Sequence, residues 1–199
     1  MKIKICGFTN ANTAKEAALL GVDAIGLVFY EKSPRNVEVE KALEIVNALP
    51  PFVNRVGLFV NADSSFIDEI LCEVPLDTLQ FHGDETPTEC AQYAMPFIKA
   101  VRIDTQTNLT KTAGDYHQAS GLLLDTPSDV FGGTGKMFDW TLIEQIDKPI
   151  ILAGGLNVDN VASAIAQVNP YAVDVSSGVE SAKGIKDIDK IRQFLLNCQ

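Results

Sequence analysis

The chain is poor in metal-binding and crosslinking residues. It has only two histidines, and its four cysteines (Cys6, Cys72, Cys90 and Cys198) are far apart and form no Cys-x-x-Cys pair. Zinc sites and disulfide frameworks depend on closely spaced cysteines or histidines, so neither a metal site nor a disulfide framework is expected. The simplest interpretation is a set of reduced thiols in a cytoplasmic protein.

Positive charge is also scarce, with 16 Lys and Arg against 26 Asp and Glu and a formal net charge of −10. Nucleic-acid binding needs a concentrated basic surface, so no nucleic-acid partner is expected. No apolar run approaches the roughly 18 residues of a membrane span, and the N-terminus offers no signal-peptide core, so no membrane association is expected. The 199 residues, with 46% hydrophobic and 21% charged, suit a single globular domain covering 1–199.

The opening stretch, MKIKICGFTN, predicts a strand that ends at a thiol. Isoleucines alternate with lysines along residues 2–5, which is the period of a strand with one face more buried than the other. Cys6 lies at the C-terminal tip of this strand, where parallel α/β proteins gather ligands and chemistry. Cys6 is therefore a candidate catalytic residue, although a cysteine taken alone is more often a small buried hydrophobe.

A strand followed by a helix recurs eight times along the chain. The first seven predicted strands cover residues 2–6, 23–30, 54–61, 77–83, 95–103, 120–125 and 148–156, and residues 171–181 hold the eighth strand together with the loop that follows it. The predicted helices cover residues 12–22, 37–49, 65–74, 86–94, 108–118, 139–146, 157–168 and 186–198, with Asn157 as the cap of the seventh. Alternating strands and helices imply parallel pairing and right-handed crossovers. Eight units that close on themselves predict an α/β fold, the (β/α)₈ TIM barrel; an open doubly wound sheet, favoured by five or six units, is the alternative.

Polar residues at the other predicted strand ends would face the same pocket. Asp125 follows three leucines, so partial desolvation there favours the protonated carboxyl that a general acid needs; a helix cap or a loop carboxylate is the alternative. Arg35 can bind a carboxylate bidentately, although a single loop arginine is usually exposed. His82 could be a base or cap a buried strand, and Asp174 lies on the eighth strand.

Two consecutive loops have the composition of a phosphate site. LAGGLN places Gly154 and Gly155 before a helix, and VSSGVES places Ser177 and Gly178 one unit later. Glycines let backbone N–H groups approach an anion closely, and barrels often bind phosphate between the seventh and eighth loops. The loop FGGTGKM lacks the spacer and the Ser/Thr of a nucleotide P-loop, so a Walker A site is rejected.

Eight segments match one known family, in order and across nearly the whole chain. They are KICGFTN, GLVFYEKSPRNV, VGLFVN, LQFHGDE, LLLDT, GGTGKMFDW, ILAGGLNVDNV and DVSSGVE. With these segments the chain resembles the phosphoribosylanthranilate isomerase family of tryptophan biosynthesis. Phe8, where a leucine is usual, is a small departure at a position without an assigned role.

The resemblance implies an Amadori rearrangement of N-(5-phosphoribosyl)anthranilate, a small-molecule substrate, with no cofactor because no redox step occurs. Asp125 would be the general acid and Cys6 the general base, a thiol that needs help to ionise, from Arg35 or the positive end of a nearby element. Arg35 would hold the anthranilate carboxylate, and Asp174 and His82 would contact the substrate. The glycine and serine loops would hold the phosphate. A monomer and a homodimer both remain open.

Other functions on the same fold remain as alternatives. A metal-dependent pentose-phosphate epimerase would need a metal cluster at the strand tips, and the sequence offers none. An indole-glycerol-phosphate synthase would need a catalytic lysine there, and Lys99, in mid-strand, is the nearest candidate. A non-catalytic protein that binds a phosphate ligand is the alternative from a different class.

Overall fold

Eight parallel strands close into a barrel in the computed structural model of the chain, which describes residues 1–126 and 139–199. Each strand pairs with the next along the chain, and β1 pairs with β8 to complete the ring. The strands are β1 (Lys2–Cys6), β2 (Ala24–Phe29), β3 (Asn54–Phe59), β4 (Thr78–Phe81), β5 (Phe97–Arg102), β6 (Gly121–Asp125), β7 (Ile150–Leu152) and β8 (Ala172–Val175). The predicted (β/α)₈ barrel is confirmed, and the open doubly wound sheet is wrong.

Seven α-helices are found within the described residues. They are α1 (Ala11–Leu19), α2 (Val39–Ala48), α3 (Ser64–Glu73), α4 (Pro87–Ala91), α5 (Leu109–Asp115), α6 (Val161–Val168) and α7 (Ile188–Asn197). The predicted cap of α6 is wrong, because Asn157 accepts hydrogen bonds from the N–H groups of Asp159 and Asn160 in a turn that precedes the helix. None of these helices, nor any other described helix, is long and apolar enough to cross a membrane.

The helix predicted over residues 139–146 is wrong, since the chain forms only a 3₁₀ turn there, Trp140–Leu142. Asp139 caps this turn, and Ile143 already has an extended backbone with ψ of 106°. Leu142 and Ile143 both pack against the apolar cluster around Leu122. Burial against the barrel therefore overrides the local helical pattern. The rejected P-loop segment, FGGTGKM, lies outside the described residues.

A short antiparallel hairpin that the sequence pattern did not predict follows β8. It consists of β9 (Glu180–Ala182) and β10 (Ile185–Lys186). Gly184 turns the hairpin with φ of +77°, and an added Cβ there would lie 2.9 Å from the carbonyl oxygen of Pro34. The hairpin therefore packs closely against the loop after β2, which brings Glu180 and Lys186 beside Arg35.

The alternation in β1 separates two environments. Ile3 and Ile5 belong to the large apolar core between barrel and helices, whereas Cys6 packs in a smaller cluster with Val28 and Leu58. Lys4 shares the face of Cys6, because side chains two apart in a strand point the same way. The expectation that the lysine face is the less buried one fails for Lys4, which is only 4% exposed.

Candidate active site

One cavity lies at the C-terminal ends of the barrel strands and collects nearly all of the predicted site residues. Eight of the nine line it: Cys6, Arg35, His82, Asp125, Gly154, Gly155, Asp174 and Ser177. The ninth, Gly178, does not line the cavity; an added Cβ there would lie 1.9 Å from the carbonyl oxygen of Leu156. Its lack of a side chain is thus required by backbone packing between the last two loops.

The thiol of Cys6 is buried, and the ammonium groups of Lys4 and Lys186 act on its ionisation. Burial has the largest effect and raises the pKa of the thiol above its usual value; Asp174 raises it further, and the positive charges of Lys4 and Lys186 offset only part of this increase. Lys4 Nζ lies 2.9 Å from Asp174 Oδ1, and Lys186 Nζ lies 3.2 Å from Ser176 Oγ. Lys4 and Lys186 were missed by the sequence reasoning, although Lys4 could have been found from its position two residues before Cys6.

Arg35 lies in the cavity wall, where it is buried and not exposed as a single loop arginine usually is. Its guanidinium binds Glu180 at two points, with Nε 2.7 Å from Oε1 and Nη2 2.8 Å from Oε2. Lys186 Nζ also lies 2.7 Å from Glu180 Oε1. Burial raises the pKa of Glu180, but its bonds to Arg35 and Lys186 outweigh that and hold the pKa below the usual range. These three charges sum to +1, which suits an anionic ligand.

His82 and Asp125 form a hydrogen-bonded pair across the cavity. His82 Nε2 lies 3.1 Å from Asp125 Oδ2, and its Nδ1 lies 2.9 Å from Gln80 Nε2. The other carboxylate oxygen, Oδ1, accepts a hydrogen bond of 2.8 Å from the backbone N–H of Thr126. Among the described residues, His82 and the backbone of Thr126 thus hold the Asp125 carboxylate. The sequence pattern did not predict this pairing of His82 with Asp125.

The loops after β7 and β8 present backbone to the cavity. Asn160 Nδ2 binds the carbonyl oxygen of Gly155 at 2.9 Å, which fixes the orientation of that peptide group. Within residues 1–126 and 139–199, the N–H groups of Gly154, Gly155 and Ser177 donate to no acceptor of the protein. Unpaired N–H groups from two adjacent loops form a local environment that suits an anion.

The described part of the chain contains no group of three or more His, Cys, Asp and Glu side chains that could hold a metal ion. Lys99 is not available as a catalytic lysine at the mouth, because its ammonium binds the carbonyl oxygen of Gly83 at 2.7 Å and Glu85 Oε2 at 2.8 Å. It does not line the cavity that contains Cys6 and Asp125.

Comparison of the sequence with known proteins identifies close relatives. The family model described as N-(5'phosphoribosyl)anthranilate (PRA) isomerase matches residues 3–197. N-(5'-phosphoribosyl)anthranilate isomerase of Pseudomonas fluorescens (strain Pf0-1) is 57% identical over 197 residues, which cover 98% of this chain and 97% of that protein. The enzyme of the same name from Thiobacillus denitrificans is 52% identical, covering 98% of this chain and 96% of its own length.

Solved structures agree with the sequence comparison. Phosphoribosyl anthranilate isomerase from Thermotoga maritima superposes with a TM-score of 0.92 at 42% identity, covering 100% of this chain and 98% of that one. A PRAI complex with reduced 1-(o-carboxyphenylamino)-1-deoxyribulose 5-phosphate superposes with a TM-score of 0.85 at 39% identity, with the same coverage. The barrel, its mouth cavity and these matches lead to one conclusion: the chain belongs to the N-(5'-phosphoribosyl)anthranilate isomerase family.

Proposed function

We propose that the cavity catalyses the Amadori rearrangement of N-(5-phosphoribosyl)anthranilate to the carboxyphenylamino-deoxyribulose phosphate, with Asp125 as general acid and Cys6 as general base. The observation that carries this assignment is that Cys6 and Asp125, at the ends of β1 and β6, line the same cavity. The isomerase activity itself, a step of tryptophan biosynthesis, follows from membership of the family.

In the first step, Asp125 gives a proton to the ring oxygen of the sugar. The bond between C1′ and that oxygen breaks, and the anthranilate nitrogen shares its lone pair with C1′ to form an iminium ion. Asp125 is left as a carboxylate. The Thr126 N–H donates to one carboxylate oxygen and stabilises that charge, and His82 Nε2 lies 3.1 Å from the other oxygen, where it adds to the stabilisation when it carries its proton.

In the second step, the Cys6 thiolate removes the proton from C2′. The electrons of the C–H bond form a C1′–C2′ double bond, and the iminium pair returns to nitrogen, which gives an enolamine. Return of a proton to C1′ and loss of the C2′ hydroxyl proton give the ketone. Lys4 and Lys186 favour the thiolate, against the burial that disfavours it.

The remaining cavity residues bind the substrate. Arg35, oriented by Glu180, holds the anthranilate carboxylate, and Asp174 and His82 contact the polar edge of the sugar. The phosphate binds to the backbone N–H groups of the loops that contain Gly154, Gly155, Ser177 and Gly178. Two observations support this orientation of the substrate, with the carboxylate at Arg35 and the phosphate at the two loops. They are the unpaired N–H groups of the loops and the net positive charge around Glu180.

The protein needs no cofactor for this reaction, because each step moves protons and electron pairs within one molecule. Its substrate is a small molecule, and residues 1–199 form a single domain. We place the protein in the cytoplasm. A related structure is described as monomers generated from a dimeric phosphoribosylanthranilate isomerase of Thermotoga maritima. This chain is accordingly a monomer or a homodimer.

The proposal is tested by following the fluorescence of the anthranilate substrate with time. The wild-type enzyme should consume the signal, and Cys6→Ser and Asp125→Asn should lose most of the turnover while keeping the far-UV circular dichroism of the barrel. Cys72→Ser, which changes an exposed thiol outside the cavity, is the control and should keep full activity. Binding without turnover in the wild type would favour the non-catalytic alternative, and a fully active Cys6→Ser would refute the role of the thiol.

A further inference from the structure

Gln80 is a buried polar residue in the wall of the cavity that the proposed mechanism does not use. It lies in β4, is 0% exposed, and lines the same cavity as Cys6 and Asp125. Its Oε1 atom is buried and has no hydrogen-bond partner within the part of the chain that the structure describes. A methionine or leucine would fill a similar volume without an unpaired acceptor, so packing does not explain a glutamine at this position.

The hydrogen bond that Gln80 makes explains it better. Its amide Nε2 lies 2.9 Å from His82 Nδ1, and an amide nitrogen can only donate. His82 Nδ1 therefore accepts, and the proton of the neutral imidazole lies on Nε2. That nitrogen faces Asp125 Oδ2 at 3.1 Å, so the imidazole donates to the carboxylate.

We propose that Gln80 is a positioning residue, which fixes His82 as the Nε2–H tautomer so that the imidazole donates to the Asp125 carboxylate. This inference rests on the proposed function, because it concerns the acid of that reaction. Asp125 becomes a carboxylate when it protonates the substrate, and a donor held in place beforehand stabilises it without reorganisation. Without Gln80 the Nδ1–H tautomer would become accessible whenever Asp125 is protonated, because the carboxyl O–H could then donate to an unprotonated Nε2.

The direct test is the tautomer itself, measured from the ¹⁵N chemical shifts of the imidazole in histidine-labelled protein without substrate. The chain has only two histidines, so a His117→Gln variant assigns the signals. Wild-type His82 should be the Nε2–H tautomer. Gln80→Met should give a mixture of tautomers, and Gln80→Glu, whose carboxylate accepts from Nδ1–H, should shift the proton to Nδ1 or give the imidazolium.

Kinetics give the second readout. General acid–base catalysis contributes roughly 100- to 10,000-fold, so partial loss of it in Gln80→Met should lower kcat by at least about tenfold with little change in KM. Thr78→Val is the control: this buried residue of β4 lies two positions earlier on the same face and outside the cavity, and it should change neither kcat nor the tautomer. Gln80→Glu, close in shape to the native residue, serves if Gln80→Met does not fold.

The outcomes separate this inference from the proposed function. A wild-type Nδ1–H tautomer, or a Gln80→Met variant with an unchanged tautomer, would overturn the inference whether or not the protein is active. A lost tautomer preference with unchanged kcat in an active enzyme would overturn the positioning role and leave the reaction standing. A wild-type protein without isomerase activity would refute the proposed function, although the tautomer could still be the expected one.

Discussion

Arg35 and Glu180 are 145 residues apart in the chain and form a buried, two-point ion pair in the wall of the cavity. Glu180 lies on the hairpin after β8, whereas Arg35 lies on the loop after β2. The pair fixes the guanidinium plane, which a long flexible side chain could not keep by itself. A preoriented cation in the cavity wall can bind a planar carboxylate at a smaller entropic cost.

Arg35→Met should weaken substrate binding by about 1.5–3 kcal/mol, the range for a hydrogen bond to a charged group. The informative comparison uses a substrate analogue without the aromatic carboxylate, which wild type and variant should bind almost equally. Arg55→Met is the matched control, because Arg55 also pairs bidentately with a carboxylate, Asp77, but lies outside the cavity. A difference that persists with the analogue would give Arg35 another role.

Lys4 should control the ionisation of Cys6. Lys4→Met removes a positive charge that lowers the pKa of the thiol and leaves the negative Asp174, so the pKa should rise. The rate of alkylation by iodoacetamide follows the thiolate, and its pH profile should therefore move to higher pH.

The alkylation is best measured in a Cys72→Ser background, because Cys72 is the exposed thiol among the four cysteines. Cys90 and Cys198 are buried, and burial raises their pKa values to about 12 and about 11, so they react slowly. Lys15→Met, on the exposed surface of α1, is the control and should leave the profile in place. An unshifted profile in Lys4→Met would show that the ammonium does not act on the thiol.

The fold was predictable because its signal is repeated. Eight strands bounded by helices imply parallel pairing, and the number eight separates a barrel from an open sheet. The failures are local: residues 139–146 carry a helical pattern, but Leu142 and Ile143 gain more from burial against the barrel. The hairpin after β8 was missed because its strands have three and two residues, too short for a periodic pattern.

The strand-end rule placed Cys6, His82 and Asp125 in one cavity from sequence alone. The partners of these residues could not be predicted in the same way. Glu180 comes from a hairpin that was not predicted. Lys4 is a lysine, a residue type that is usually exposed to solvent, but the closed barrel buries it. Contacts between residues far apart in sequence depend on register and closure, which no local pattern contains.

Protonation of Asp77 should lower the free energy of unfolding in acid. Its hydrogen bonds with Arg55 hold the pKa of the carboxyl below the usual range, so the pair stabilises the fold fully above the unfolded pKa of about 3.9. This contribution is lost as the pH falls through the lower folded-state value. Asp77→Asn should lower the free energy of unfolding at pH 7 by about 0.5–1 kcal/mol, since the pair is partly exposed.

Urea unfolding at several pH values would measure the effect of Asp77. The variant should show a flatter pH dependence below about pH 4 than the wild type, because it has one fewer carboxyl to protonate. Asp63→Asn, at an exposed position whose side chain makes no cap hydrogen bond to α3, should keep the wild-type slope. An unchanged slope in Asp77→Asn would mean that other carboxyls dominate the acid transition.

The proposed phosphate site predicts that backbone and side-chain changes in the loops after β7 and β8 affect substrate binding differently. Gly155→Val adds bulk where the N–H groups would face the anion and should raise KM strongly, whereas Ser177→Ala should do little. Gly178→Val is a poor probe, because its side chain would first collide with the backbone of Leu156. A crystal structure from sulfate should show an anion between the loops after β7 and β8, and an anion bound elsewhere would refute this placement.

Gly154 should affect the position of Asp125, the proposed general acid, as well as the proposed phosphate site. It has φ of +80°, and an added Cβ would lie 2.5 Å from Thr126 Oγ1 and 2.9 Å from Asp125 Oδ1. Gly154→Ala should therefore displace the Asp125 carboxylate and lower kcat, and the left-handed backbone should destabilise the variant by about 1–2 kcal/mol. Gly114→Ala is the control: it lies in α5 with open space around it, so kcat should not change and stability should rise by about 0.5–1 kcal/mol. If Gly154→Ala raised KM and left kcat unchanged, Gly154 would contribute only to phosphate binding. Its close approach to Asp125 would then not be needed to position that carboxyl.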